Sequence, residues 1–128
     1  MNPEHAIDIY FNYLENTMSF LRRRDDSIFV LKEKLEPKEI GHAAFEGLVP
    51  KISNELEWVV IDNNTFHVDW DNVEVVVVWR DNEKTIVATP AANWGKVPDI
   101  TLKQNPNYIE LGEAILKQIA YSTEKRKQ

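Results

Sequence analysis

The stretch VEVVVVWR, residues 73–80, decides the fold. Read as an extended strand, its odd-numbered positions from Val73 to Trp79 form one continuous apolar face. The opposite face is apolar only in its middle, at Val76 and Val78. Apolar residues on both faces are typical of a strand that is covered on two sides. The stretch therefore predicts the central strand of a sheet.

Alternating apolar and polar residues predict further strands on both sides of this central strand. Residues 57–61 and 66–70 alternate before it, and turns rich in Asn and Asp separate them. Residues 85–90 alternate after it, and Pro90 ends that strand. Residues 100–104 offer one more short strand. The pattern predicts an antiparallel β-meander of four to five strands.

Apolar residues at steps of three and four predict helices at both ends of the chain. The spacing from Ile7 to Leu21 predicts a helix from about Pro3 to about Arg23, because Pro also suits the first helical position. Three further helices are expected at residues 28–35, 37–50 and 106–122. The predicted fold class is α+β: N-terminal helices, then the meander, then a C-terminal helix packed on the sheet. We expect one domain over residues 1–128.

The composition of the 128 residues excludes several classes of protein. Hydrophobic residues make up 43% of the chain, which is enough for a packed core. Cysteine is absent, so disulfides, thiolate catalysis and Cys-based zinc sites are excluded. The longest apolar run, residues 75–79, is far shorter than the ~20 residues of a membrane-spanning helix. Acidic residues interrupt the N-terminal segment, so we expect no signal peptide and a cytoplasmic protein without membrane contact.

The negative charge of the chain is concentrated in its middle. The formal net charge is −6, and residues 54–83 hold eight acidic side chains against a single basic one, Arg80. Such a surface repels phosphate backbones, so nucleic acid is a poor partner. It favours a basic protein instead, because opposite charges speed association.

Catalytic motifs are missing, and one pair of side chains suggests half a metal site. The four glycines do not form a phosphate-binding loop, and no serine lies in a G-x-S-x-G context. His42 and Glu46 are four residues apart on a predicted helix and so share a face. Because no second ligand pair is visible, we interpret them as a partly exposed histidine beside an acidic neighbour. We expect no metal, no cofactor and no catalytic residue.

Two further features suggest binding. His67 and Asp69 share one face of a predicted strand, as an acid–base pair or a metal site requires, but the alternation with Phe66, Val68 and Trp70 favours a solvated polar face. Trp94 lies in a loop between Pro90 and Pro98, where alternation gives no reason for an aromatic residue. An exposed tryptophan in a loop often contacts a partner, although it also packs back over a sheet edge.

The segment YIELGEAILKQIAYS, residues 108–122, resembles the closing helix of bacterial contact-dependent growth inhibition immunity proteins, a class of polymorphic-toxin inhibitors. The matching residues are Glu110, Leu111, Gly112, Ala114, Ile115 and Leu116. The resemblance implies a protein that binds and neutralises one cognate toxin, with neither catalysis nor a cofactor.

Three functional hypotheses follow. The first is a non-catalytic inhibitor that binds a basic toxin through an acidic surface. Its expected partner-binding residues are Asp62, Asp69, Asp71, Glu74, Asp81, Glu83 and Trp94. The second is a small-ligand-binding or enzymatic α+β domain with an aromatic-lined pocket that includes His67 and Asp69. The third is a subunit or adaptor of a bacterial or phage assembly. The oligomeric state stays open.

Overall fold

The computed structural model describes residues 5–12, 15–49, 55–60, 73–91 and 98–126. This part of the chain forms a seven-stranded sheet and two helices. The elements are β1 (Ala6–Asn12), β2 (Thr17–Arg22), β3 (Ser27–Leu31), α1 (Pro37–Leu48), β4 (Val59–Val60), β5 (Val73–Arg80), β6 (Thr85–Pro90), β7 (Ile100–Lys103) and α2 (Tyr108–Arg126).

The strand order of the sheet is β4-β3-β2-β1-β5-β6-β7, and every neighbouring pair is antiparallel. The first three strands form a meander that moves away from the centre. After α1, β4 extends this side, and the chain then returns to the centre, where β5 pairs with β1. Strands β6 and β7 extend the other side. The predicted meander is wrong in its order: it runs from residues 57–61 through residues 66–70 into β5, whereas β4 pairs with β3 and β5 pairs with β1.

The predicted N-terminal helices are wrong. The segment from Pro3 to Arg23 holds β1 and β2, and residues 28–35 hold most of β3. Asn16 and Asp26 adopt left-handed backbone conformations, with φ of 56° and 54°. They lie in the turns that follow β1 and β2, and the conformation of Asn16 is incompatible with a continuous helix from Pro3 to Arg23. Because β1, β2 and β3 replace the predicted N-terminal helices, the described residues form seven strands where four to five were expected.

Other predicted elements are confirmed. The helix expected at residues 37–50 is α1, and the C-terminal helix is α2. Strand β5 lies between β1 and β6, and the side chains of Val75 and Val77 are fully buried, as expected for a central strand. Strands β6 and β7 lie at the predicted positions. The strand predicted at residues 66–70 lies outside the described residues.

The core lies between one face of the sheet and the two helices. Register pairing places Ile7, Ile9 and Phe20 on the same face as Val75 and Val77. The helices bury their apolar faces against it, through Ile40, Ala43, Ala44, Leu48, Leu111, Ile115 and Ile119. This arrangement follows from the helical spacing of these residues and from the alternation in the strands.

Buried polar groups fix α2 on the sheet. The hydroxyl of Ser122 donates to the backbone carbonyl of Glu74 at 2.7 Å, and the amide nitrogen of Gln118 donates to the carbonyl of Ala88 at 2.9 Å. Because buried carbonyls need donors, these bonds select one position of the helix along the sheet. Neither helix, within the residues described, combines the length and apolar composition that crossing a bilayer requires.

Candidate functional site

The segment that leads into β4 is attached to α1 by one buried carboxylate. Glu46 projects from α1 and is 1% exposed. Its Oε1 atom accepts hydrogen bonds from the backbone N–H of Leu56 at 2.9 Å and from the indole N–H of Trp58 at 3.0 Å. A buried carboxylate is tolerated only when its oxygens are bonded, so these two donors explain its burial. The segment is thereby fixed beside α1.

Trp58 also makes an aromatic contact with β3 and a cation–π contact with β2. The ring of Trp58 lies 5.8 Å from that of Phe29, and the guanidinium of Arg22 lies 4.6 Å from the centroid of the Trp58 ring. Cation–π contacts of this kind are stronger when the cation is desolvated, and Arg22 is only 4% exposed. Trp58 therefore connects β4 to the interior of the sheet.

Apolar side chains are exposed where β4 forms one margin of the described sheet. Val59 is 61% exposed and Val60 is 69% exposed, and Val30 on the adjacent strand β3 is 37% exposed. Glu55 and Glu57 precede them and are also exposed. We call these five residues the β4 edge. It combines apolar side chains with carboxylates.

Arg22 and Arg23, at the turn between β2 and β3, each form an ion pair with a carboxylate. Arg22 donates to both carboxylate oxygens of Asp25, at 2.9 and 2.7 Å. Arg23 donates to both oxygens of the fully buried Asp8, at 2.8 and 2.6 Å, and this bonding raises the pKa of Arg23 above its usual value although burial opposes it. These two guanidiniums are engaged by carboxylates within the fold, so they do not form a phosphate site.

The pKa of the Asp25 carboxyl lies below its usual value as a result of opposing effects. Partial burial raises the pKa, but hydrogen bonds from Arg22 and Ser27 and the charge of Arg22 together outweigh burial. The turn is therefore stabilised by the ionised form of Asp25.

The predicted partner-binding residues do not gather on one described surface. Glu74 lies in the central strand β5 and is 1% exposed, so the prediction that it is exposed to a partner is wrong. Asp81 and Glu83 are exposed in the turn after β5, but Lys84 lies 3.9 Å from Asp81 and Arg80 lies 3.6 Å from Glu83. The other predicted residues lie outside the described residues, namely Asp62, Asp69, Asp71 and Trp94, as does His67 of the alternative pocket.

The structure adds a third member to the pair of His42 and Glu46. The Nε2 atom of His42 lies 3.3 Å from Oε2 of Glu46 and 3.1 Å from Oε2 of Glu55. The imidazole ring also stacks on Tyr108 of α2, with 4.9 Å between ring centroids. The sequence displays the first pair through its helical spacing, but Glu55 lies beyond the end of α1 and carries no local signal. The exposed valines of the β4 edge were likewise missed, because their strand pattern resembles that of a buried strand.

Comparison with known proteins adds no relative: no protein-family model, curated protein or solved structure matches this chain.

Proposed function

We propose that this protein is a non-catalytic inhibitor that binds a basic protein, and that the bound protein is a cognate bacterial toxin neutralised in the cytoplasm. The resemblance of residues 108–122 to immunity proteins supports the class. The observation that carries the site is the exposure of Val59 and Val60, at 61% and 69%. Protein is favoured over nucleic acid as the partner because the chain carries a net charge of −6.

The exposed valines favour a binding role because they are adjacent and lie at a sheet margin. Isolated apolar side chains on a surface need no explanation, but the pairing of Val59 with Ile28 places Val59 on the same face of the sheet as the exposed Val30, and Val60 is exposed on the opposite face of the same margin. Val59 and Val60 are already partly buried, so the further burial of each against a partner contributes about 1 kcal/mol of favourable transfer free energy. The β4 edge therefore supplies an apolar centre for an interface.

Exposed carboxylates supply the charge complementarity. Glu55 and Glu57 are exposed in the same segment as Val59 and Val60, whereas Asp81 and Glu83 are exposed at the turn after β5, which β1, β2 and β3 separate from β4. Ion pairs between exposed groups such as those of Asp81 and Glu83 are weak, so the carboxylates stay available to a basic partner. Long-range attraction of this kind raises association rates more than final affinity.

The test uses the toxin encoded beside the gene of this protein and measures its affinity for variants of the β4 edge. We expect the double variant V59D/V60D to weaken binding about thirtyfold or more, which corresponds to about 2 kcal/mol at an interface centre. The matched control is Ile109→Asp, because Ile109 is an apolar residue of α2 that is 49% exposed. Its affinity should stay within about threefold of the wild type, since exposed sites outside an interface contribute little.

Two results would refute the proposal. A gene neighbourhood without any toxin would remove the immunity role. Equal affinity of V59D/V60D and the wild-type protein would show that the partner contacts another surface. Far-UV circular dichroism establishes that the variants are folded before their affinities are compared.

A further inference from the structure

Three metal-ligating side chains converge between α1 and the segment that leads into β4. One ligand atom each from His42, Glu46 and Glu55 lies within 4.8 Å of the other two. Across the residues that the structure describes, this is the one group of three such side chains with that proximity. The cluster shares Glu55 with the β4 edge, but its geometry alone carries the inference, which does not require a protein partner.

Two of the three distances in the cluster match those of a tetrahedral zinc site, and the third, between the two carboxylate oxygens, is at most 4.8 Å. With metal–ligand bonds of about 2.0 to 2.1 Å, two ligand atoms of a tetrahedron lie about 3.3 Å apart. The Nε2 atom of His42 lies 3.3 Å from Glu46 Oε2 and 3.1 Å from Glu55 Oε2. An ion therefore fits among these atoms after small side-chain adjustments.

We propose that His42, Glu46 and Glu55 bind one zinc ion through the Nε2 atom and two carboxylate oxygens, with water in the fourth position. Imidazole nitrogen combined with carboxylate oxygen is a zinc donor set, whereas calcium and magnesium prefer oxygen ligands throughout. Three protein ligands with one open position is an established zinc arrangement.

The surroundings of the cluster orient the ligands. Oε1 of Glu46 accepts hydrogen bonds from Leu56 and Trp58, which leaves Oε2 directed toward His42. The imidazole of His42 stacks on Tyr108, and this contact fixes the plane of the ring. Partners that hold a ligand in place increase metal affinity, because less freedom is lost on binding.

Charge also favours a divalent cation at this position. The carboxylate of Glu46 is 1% exposed, and a second carboxylate, that of Glu55, faces the same imidazole nitrogen of His42. Two carboxylates that face one point repel each other when both are ionised. A zinc ion carries two positive charges and therefore balances both carboxylates. The zinc ion would also link α1 directly to the segment that carries the β4 edge.

The test is a titration of the purified, chelator-treated chain with zinc chloride by isothermal titration calorimetry. We expect one zinc ion per chain, with no competition from magnesium. His42→Gln and Glu55→Gln should each weaken zinc binding by at least about tenfold, the lower end of losses seen when groups supporting a metal site are removed. Two matched controls, His5→Gln and Glu57→Gln, should bind zinc as the wild type does.

Cobalt(II) provides a second readout, because its visible absorption reports the coordination of the bound ion. Glu55→Gln keeps the test informative if His42→Gln fails to fold, since the Glu55 side chain is 75% exposed and makes few contacts. Absence of binding at about 1 mM zinc, a very weak association, would overturn the proposal. Zinc binding that survives both ligand variants, or that is lost equally in the controls, would overturn it as well.

Discussion

The closest approach between α1 and α2 gives the most demanding test of the fold. Gly112 of α2 faces the start of α1, and a Cβ atom added to it would lie 1.8 Å from the carbonyl oxygen of Pro37. Ordinary contact begins at 3.4 Å, so Gly112→Ala requires the two helices to separate by about 1.6 Å. Gly41 on α1 has the same relation to the carbonyl oxygen of Tyr108, also at 1.8 Å. The crossing therefore depends on two glycines.

The expected cost of Gly112→Ala combines two opposing terms. Alanine stabilises a helix interior by about 1 kcal/mol relative to glycine. Against this, separating the helices disrupts the packing of Leu111 and Ile115 on Ile40 and Ala44, and overpacking a core costs about 1 to 3 kcal/mol or more. The obstacle here is backbone, which cannot change rotamer, so we expect the upper end of that range. The net loss should be about 2 kcal/mol or more, a large part of the ~5 to 15 kcal/mol of a typical domain.

The assay is urea denaturation followed by circular dichroism and tryptophan fluorescence. Glu113→Ala is the matched control, because Glu113 is the exposed neighbour of Gly112 on the same helix. Its effect should stay within about 0.5 kcal/mol. The double variant G41A/G112A should cost less than the two single losses together, since the first separation relieves part of the second overlap. A loss below about 0.5 kcal/mol for Gly112→Ala, or a gain in stability, would refute this close crossing.

Two further predictions concern the sheet and its turns. Val77→Ala should lower the free energy of unfolding by about 1 to 3 kcal/mol, because Val77 is fully buried. Val59→Ala should lower it by less than about 0.5 kcal/mol, because Val59 is exposed. Equal losses in urea denaturation would contradict the assigned register. The lowered pKa of Asp25 means that its contribution to stability is present above its unfolded value of about 3.9 and is lost as the pH falls through its lower folded value. Asp25→Asn should therefore flatten the acid side of the stability curve measured by thermal denaturation, while Asp26→Asn, the adjacent exposed residue, should leave its shape unchanged.

The N-terminal third shows why local pattern alone assigns the wrong element. From Ile7 to Leu21 the apolar residues are dense enough to satisfy helical steps and strand alternation together. The turn between the strands decides between them. Asn12 accepts a hydrogen bond from the backbone N–H of Glu15 at 3.1 Å, and Asn16 adopts a positive φ, so asparagine chemistry breaks the segment into two strands. The helices α1 and α2 were predictable because proline and helical spacing agree there.

Only part of the candidate sites was predictable, because the rest depends on the path of the chain. The spacing of His42 and Glu46 is visible in the sequence, and so is the acidity of the middle segment. The approach of Glu55 to His42 depends on residues 55–58 lying beside α1, which no local rule encodes. The burial of Glu74 depends on β5 returning to the sheet centre, where it pairs with β1. The sequence thus shows where the acidic residues lie along the chain, whereas the topology decides which of them are exposed.

The role of Glu46 follows from the shortness of β4. This strand has two residues, and its pairing with β3 involves only Ser27 and Ile28, so the ladder alone gives little order to the segment. Glu46 supplies the missing order, because its buried carboxylate accepts from Leu56 and Trp58 just before the strand begins. A binding surface that is ordered before contact loses less entropy on association. A carboxylate side chain in the interior is costly to bury, and its presence at this position is explained if it preorganises the β4 edge for a partner.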